Sequence, residues 1–468
     1  MKNNMSAYTE NAKVLMKALI DRLGKSYPYV SILMQDSRSM RLSVSKSGIN
    51  AGEDSLFTKR GFVARVHNGK GLSEFSFNDL SNETLPFLVS SISACADSAK
   101  GEDPVPTDEA YEGEYFSPFL TDPDDMGTGE ILRRLGEMRS GMLGRNEKLL
   151  DAILAFSWQR SRKLFMSKNR CMYQDILWSN ATALALTSDG NEVKECYKPF
   201  SGLCGAELLD EMNAETLDEV ARVSCELLDS QPIPPGEYDC ICSPDTTGMI
   251  VHEAFGHGVE MDMFVKDRAL AREYVGKRVA SPLVNMHDSA CAVSQCASFL
   301  FDDEGVLAKD NLVIKEGILL NGYADSVSAS RLGISPTGNG RRESFARKAY
   351  TRMTNTYFEA GNDELEDMIA SVSYGFLLED PTSGMEDPKN WGIQCMVNIA
   401  REIKDGKLTG KIFSPIVLTG YVPDLLKSIS MVSKQVVLSG SGFCGKGHKE
   451  WVKVSDGGPY IKARVRLG

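Results

Sequence analysis

The chain has 468 residues, with 64 acidic against 52 basic side chains, a net charge of -12 and eleven cysteines. The acidic balance argues against a surface that tracks phosphates, so no direct nucleic-acid partner is expected. An odd cysteine count without a Cys-x-x-Cys pair excludes a disulfide framework and points to a reducing, cytoplasmic compartment, and no apolar run reaches membrane-spanning length.

The length favours two domains. In chain order, periodicity predicts a helix over about residues 10–23 stopped by Gly24, strand-like stretches through about residue 77, and helices near 82–98 and 128–145. Leu217, Val220, Val223 and Leu227 then recur at helical spacing. The punctuation Gln231-Pro232-Ile233-Pro234-Pro235-Gly236 follows, which sets the expected boundary near residue 232. Residues 1–231 therefore read as a mixed α/β domain. Beyond the boundary, Tyr238-Asp239-Cys240-Ile241-Cys242 alternates as a strand does, and Ser243-Pro244 supplies an N-cap with proline at the first helical position. The stretches 312–320 and 401–408 read as β-hairpins, the second turning on Asp405-Gly406.

The short helix opened by Ser243 carries the chemistry. Two of the five histidines fall in one window, His252-Glu253-Ala254-Phe255-Gly256-His257. Neutral imidazole is the commonest protein ligand for zinc, and a carboxylate beside the first ligand can act as a general base to an activated water. The spacing departs from H-E-x-x-H, whose ligands at i and i+4 lie about 40° apart around a helix; at i+5 the separation is about 140°, too wide for one ion. A π-bulge or an interrupted helix is therefore expected, with Gly256 permitting it. A third ligand has to come from elsewhere. Glu260, Asp262 and Cys444 are the candidates that chemistry allows.

The stretch Gly440-Ser441-Gly442-Phe443-Cys444-Gly445 satisfies G-x-G-x-x-G after a strand-like segment. Too little chain remains for a βαβ unit, and no helix plausibly opens at Lys446-Gly447-His448, so a dinucleotide loop is not expected.

These residues resemble the TldD/PmbA proteins, a family historically described as modulators of DNA gyrase that includes zinc metallopeptidases. The resemblance runs through His252 to Gly258, Asp302-Asp303-Glu304-Gly305, Gly338 to Ser344, Arg352 to Tyr357, and Cys444-Gly445-Lys446. It implies zinc held by His252, His257 and Cys444, with Glu253 as catalytic base, because the TldD branch keeps the paired histidines and the PmbA branch lacks them. The implied substrate is an unfolded or short peptide cut in a cavity between subunits, in a homodimer or in a heterodimer with a PmbA-like chain. For the donor that stabilises the oxyanion, the residues nominated are His448, Tyr357, Arg341 and Arg342. Two rivals stand beside this reading: a non-catalytic regulatory subunit, and a zinc hydrolase acting on small amides. The expected fold class is α+β, an N-terminal mixed α/β domain followed by a mainly antiparallel β C-terminal domain carrying a short metal-binding helix.

Overall fold

A computed structural model of the chain describes residues 5–101, 103–448 and 450–468. The first half is built on one eight-stranded sheet. Its strands are β1 (Tyr29–Ser45), β2 (Gly48–Gly52), β3 (Lys59–His67), β4 (Leu72–Phe77), β5 (Tyr111–Phe116), β6 (Leu149–Ser167), β7 (Arg170–Ser188) and β8 (Val193–Gly202). The main order is β4-β3-β1-β6-β7-β5, with β2 pairing β1 and β8 pairing β7. Only β5 runs parallel to its neighbour.

Helices cover this sheet because their apolar stripes have nowhere else to go. Ala7–Leu23 begins where the Ser6 hydroxyl accepts the Thr9 N–H and ends at Gly24; it buries Met16, Leu19 and Leu23, and packs with the helix Leu85–Ser98 against Ile32, Met34 and Leu164. Further along, Thr128–Leu143 and Ala214–Glu226 bury Ile131, Leu135, Val220 and Val223 against Leu154, Phe156 and Ala183. Ile399 and Ile412 of the second half join this same core.

All the remaining sheets are formed by residues beyond 235. Strands Tyr374–Asp387, Gly236–Cys242, Ile461–Leu467, Ile416–Tyr421 and Gly392–Lys404 pair in that order, and the last pairs back onto the first. They close a ring over the residues that pair. Lys407–Phe413 hairpins onto the ring through Asp405 and Gly406, both at positive φ as such a turn requires. A six-stranded sheet, including Met286–Ser289, Asn355–Phe358 and Ser455–Gly458, stands beside it. Most pairings in this half are antiparallel; the exceptions between named strands join Gly236–Cys242 to Tyr374–Asp387 and Asn355–Phe358 to Ser455–Gly458. Among the described residues no helix is long and apolar enough to cross a membrane.

Candidate metal centre

The helix that leaves the strand Gly236–Cys242 is wedged between the ring and the six-stranded sheet. Ser243 caps it, accepting the Thr246 N–H at 3.3 Å, with Pro244 in the first turn. Regular α-helix lasts only from Pro244 to Met249. From Ile250 to Gly256 the bonding is π-helical, and the His257 N–H reaches back to the His252 carbonyl, an i→i+5 bond. The wider turn sorts the side chains into two faces. Ile250, Val251, Ala254 and Phe255 go into the core, while the His252 and His257 rings come together and Glu253 is half-buried. Gly256 is required here by space: a Cβ would stand 2.4 Å from Met353 Sδ. A π-turn leaves its carbonyls imperfectly matched, and the buried Tyr323 hydroxyl donates to the Gly256 carbonyl.

This local geometry brings the two imidazoles together with their rings 5.1 Å apart and near perpendicular. Cys444 arrives from the opposite end of the sequence on the strand Phe443–Lys446, its Sγ 3.5 Å from His257 Nε2. One ligand atom from each of His252, His257 and Cys444 lies within 4.8 Å of the others. Burial alone would raise the Cys444 thiol, but the two imidazoles bring it well below its usual range, and the thiolate in turn raises both histidines. The donor set is thus one thiolate and two imidazoles, and His252 Nδ1 is buried without a hydrogen-bond partner among the described residues. Such a set fits zinc, which takes nitrogen and sulfur ligands at about 2.0–2.3 Å and leaves a further position open in catalytic sites.

The surrounding shell holds the ligands in place. His257 Nδ1 lies 3.2 Å from Glu260 Oε2, which turns Nε2 toward Cys444. Lys446 Nζ donates to Glu260 at 3.0 Å and to Asp262 at 2.6 Å. Burial pushes the Glu260 carboxyl up, yet Lys446 and His257 outweigh it and hold it at about 2. Both carboxylates are therefore committed to Lys446, and of the three candidate third ligands only Cys444 stands in the cluster. Arg352 donates to the Cys444 and Glu450 carbonyls, which clamps the hairpin. Glu253 lies against the strand Tyr374–Asp387, where a Cβ on Gly384 would stand 2.4 Å from its Cγ.

The nominated oxyanion donors are placed differently. His448 is exposed in the turn beyond Cys444 and is outside the ligand cluster. Tyr357 stacks on His287, ring centroids 5.4 Å apart, and burial pushes its hydroxyl up to about 12. Arg342 pairs with Glu74 of β4 at 2.9 Å, and Arg341 spends its guanidinium on the Met353 and Lys453 carbonyls. Sequence reasoning missed Tyr323, Lys446, Arg352 and Glu386. Glu386 has both carboxylate oxygens buried beside Gly258 without a side-chain donor among the described residues, and burial raises it well above the usual carboxylate range. Arg352 and Lys446 lie in stretches that carried the resemblance, but no local pattern gives any of the four its partner, because each acts across the fold.

Residues 235–465 match the model of the PmbA/TldA metallopeptidase C-terminal domain. The chain belongs to the TldD/PmbA family. It is 35% identical over 245 residues to a metalloprotease TldD homolog of Haemophilus influenzae, covering 52% of this chain and 50% of that protein. A zinc metalloprotease TldD homolog of Saccharolobus solfataricus is 28% identical over 306 residues, 65% of this chain and 67% of the other. The chain spans about half to three fifths of the length of the first curated relatives it matches. Two solved structures share the TldD/PmbA fold over 97% of the chain. One is described as a candidate modulator of a DNA gyrase from Thermotoga maritima (TM-score 0.80, 16% identity, all of that chain), the other is TldE from Thermococcus kodakarensis (TM-score 0.76, 18% identity, all of that chain).

Proposed function

We propose that this TldD/PmbA member is a zinc-dependent metallopeptidase that hydrolyses peptide bonds of unfolded or short polypeptides. The observation that carries the reading is the π-turn that sets His252 and His257 beside Cys444, with Glu253 directly after His252 in that turn. His252, His257 and Cys444 are the residues that would hold the ion. When bound, zinc supplies Lewis-acid polarisation of the scissile carbonyl and acidifies a water. Glu253 takes the proton of the attacking water and passes it to the departing amine nitrogen as the C–N bond breaks. Glu260 and Lys446 orient His257 from behind.

An open strand edge supports a peptide as substrate. The strand Gly236–Cys242 pairs with residues 375–378 only, whereas Tyr374–Asp387 continues past Gly384. Among the described residues no strand pairs that outer edge over 379–384, beside Glu253. An extended peptide added there would be held by main-chain hydrogen bonds with little sequence preference. The family context, with TldE among the structural neighbours, supports assembly as a homodimer or with a PmbA-like chain.

The test is E253Q. The variant is expected to keep about one zinc per chain by metal analysis and to lose cleavage of an unfolded polypeptide. Full cleavage by the variant would remove Glu253 from its role, and an active metal-free wild type would remove the zinc. A chain with full zinc and no cleavage of any peptide would favour the regulatory-subunit reading.

A further inference from the structure

Away from the zinc ligands, a cavity of about 90 Å³ opens between the N-terminal sheet and the second half. Lys453 lines it. The Lys453 side chain is 7% exposed, and its Nζ has no hydrogen-bond partner among the described residues. The ammonium stands 4.5 Å from the ring centre of Trp178 on β7 and 4.3 Å from that of Phe443. Ring faces attract a cation, but they give its three N–H groups no acceptor of hydrogen-bond strength.

The carboxylates of the cavity wall are engaged elsewhere. Asp302 accepts the Glu304, Val306 and Gly340 N–H groups. Asp303 is paired with Lys163 and accepts the Arg342 N–H. Glu343 accepts the Trp451 N–H. Arg341, also on the wall, has only carbonyl partners. The carboxylates on the wall are thus satisfied by their own donors, and among the described residues neither Lys453 nor Arg341 has a carboxylate at ion-pair distance. A buried charge in this state is costly, and burial pushes the Lys453 ammonium down to about 8.

We propose that this cavity binds a carboxylate-bearing ligand, with Lys453 Nζ as its charge-assisted donor and the Trp178 and Phe443 rings flanking a short apolar body. The volume sets the size. Since a cavity of about 150 Å³ takes a benzene ring, this one admits a carboxylate with two or three further carbons. Such a group is available as a free short-chain acid or as the C-terminal end of a peptide. The site is independent of the peptidase reading, because no zinc ligand lines it.

Calorimetric titration of the full chain distinguishes these sources, with propionate, its neutral isostere propionamide, and acetyl-dialanine as acid and as amide. Propionate is expected to bind and propionamide not. In K453M, affinity should fall about tenfold or more, as expected for losing one charge-assisted hydrogen bond. Binding of the acetyl-dialanine acid but not its amide, lost in K453M, would identify a peptide end as the occupant. K453M leaves the zinc ligands intact, so any carboxylate binding at the metal is common to both proteins. Mass-spectrometric reading of reductive methylation on the wild type covers the case in which K453M does not fold. Saturating ligand should slow labelling of Lys453 and leave that of exposed Lys17 unchanged. Equal carboxylate affinity in K453M, no binding of any carboxylate by the wild type, or Lys453 labelling unaffected by ligand would overturn the proposal.

Discussion

At the scale of single residues, the site depends on side chains that are absent as much as on those present. Gly384 leaves the room that Glu253 occupies, and a Cβ there would meet the glutamate at 2.4 Å from Cγ, 3.1 Å from Cδ and 3.2 Å from Cβ. All three contacts are tight, so the glutamate has to move. G384A is therefore expected to lower kcat by about ten- to a hundredfold, the cost of misplacing a reacting group by an ångström. Zinc content should be unchanged, since the ligands lie on other atoms. Steady-state kinetics with metal analysis on the same preparation checks this; unaltered turnover would mean that Glu253 is not where the reaction needs it. His252, Glu253, His257 and Cys444 were all legible as candidates from residue type and spacing. Residue chemistry alone left Glu260, Asp262 and Cys444 open as the third ligand, and the family resemblance singled out Cys444; the fold adds that Lys446 occupies the two acids.

At the scale of elements, one irregular turn of helix matters most. An i+5 spacing cannot place two rings on one ion from a regular α-helix, and the π-bonding from Ile250 to Gly256 resolves that conflict as expected. The turn is maintained from outside by Tyr323, whose hydroxyl is buried and donates to the Gly256 carbonyl. Y323F leaves that carbonyl without its donor. The expected loss is about 1–3 kcal/mol of stability, read by urea unfolding, together with weaker zinc retention against a chelator. Equal stability and equal retention would show that the π-turn holds itself. The helices over 7–23, 85–98 and 128–143 and the two hairpins also follow from periodicity, caps and turn residues. These are local signals, read within a few residues.

At the scale of the whole molecule, the two halves are joined by buried charge. Arg65 of β3 reaches Glu74 of β4 at 3.1 Å and Glu304 at 2.9 Å, while Arg342 also pairs with Glu74 and Lys163 of β6 pairs with Asp303. The Asp302-Asp303-Glu304-Gly305 stretch thus ties the second half to the first. Burial alone would raise the Glu74 carboxyl, but Arg342 and Arg65 outweigh it and hold it below its usual range. A carboxyl depressed by folding contributes stability that is present above its unfolded value and is lost as pH falls through the folded one. The melting temperature of the wild type should therefore drop on acidification below about pH 4.5, with a smaller drop for E74Q, measured by calorimetry across that range. Parallel pH profiles would exclude Glu74 as a source of the acid sensitivity. At neutral pH, R65M should cost about 3–5 kcal/mol, because it leaves Glu304 buried without its cation.

What the sequence determined by itself was local: the strand, cap and helix that mount the motif, the irregular turn its spacing demands, and the types of side chain able to hold zinc. These depend on neighbours a few residues apart, whose periodicity and chemistry can be read along the chain. Tertiary structure alone decided the closure of the ring, the approach of Cys444 to His257 across 187 residues, and the supporting contacts of Tyr323, Lys446 and Arg352. It also left Lys453 in a cavity without an acceptor. The physical reason is common to all of them: a buried polar group finds its partner by proximity in the folded core, and sequence separation carries no record of that proximity.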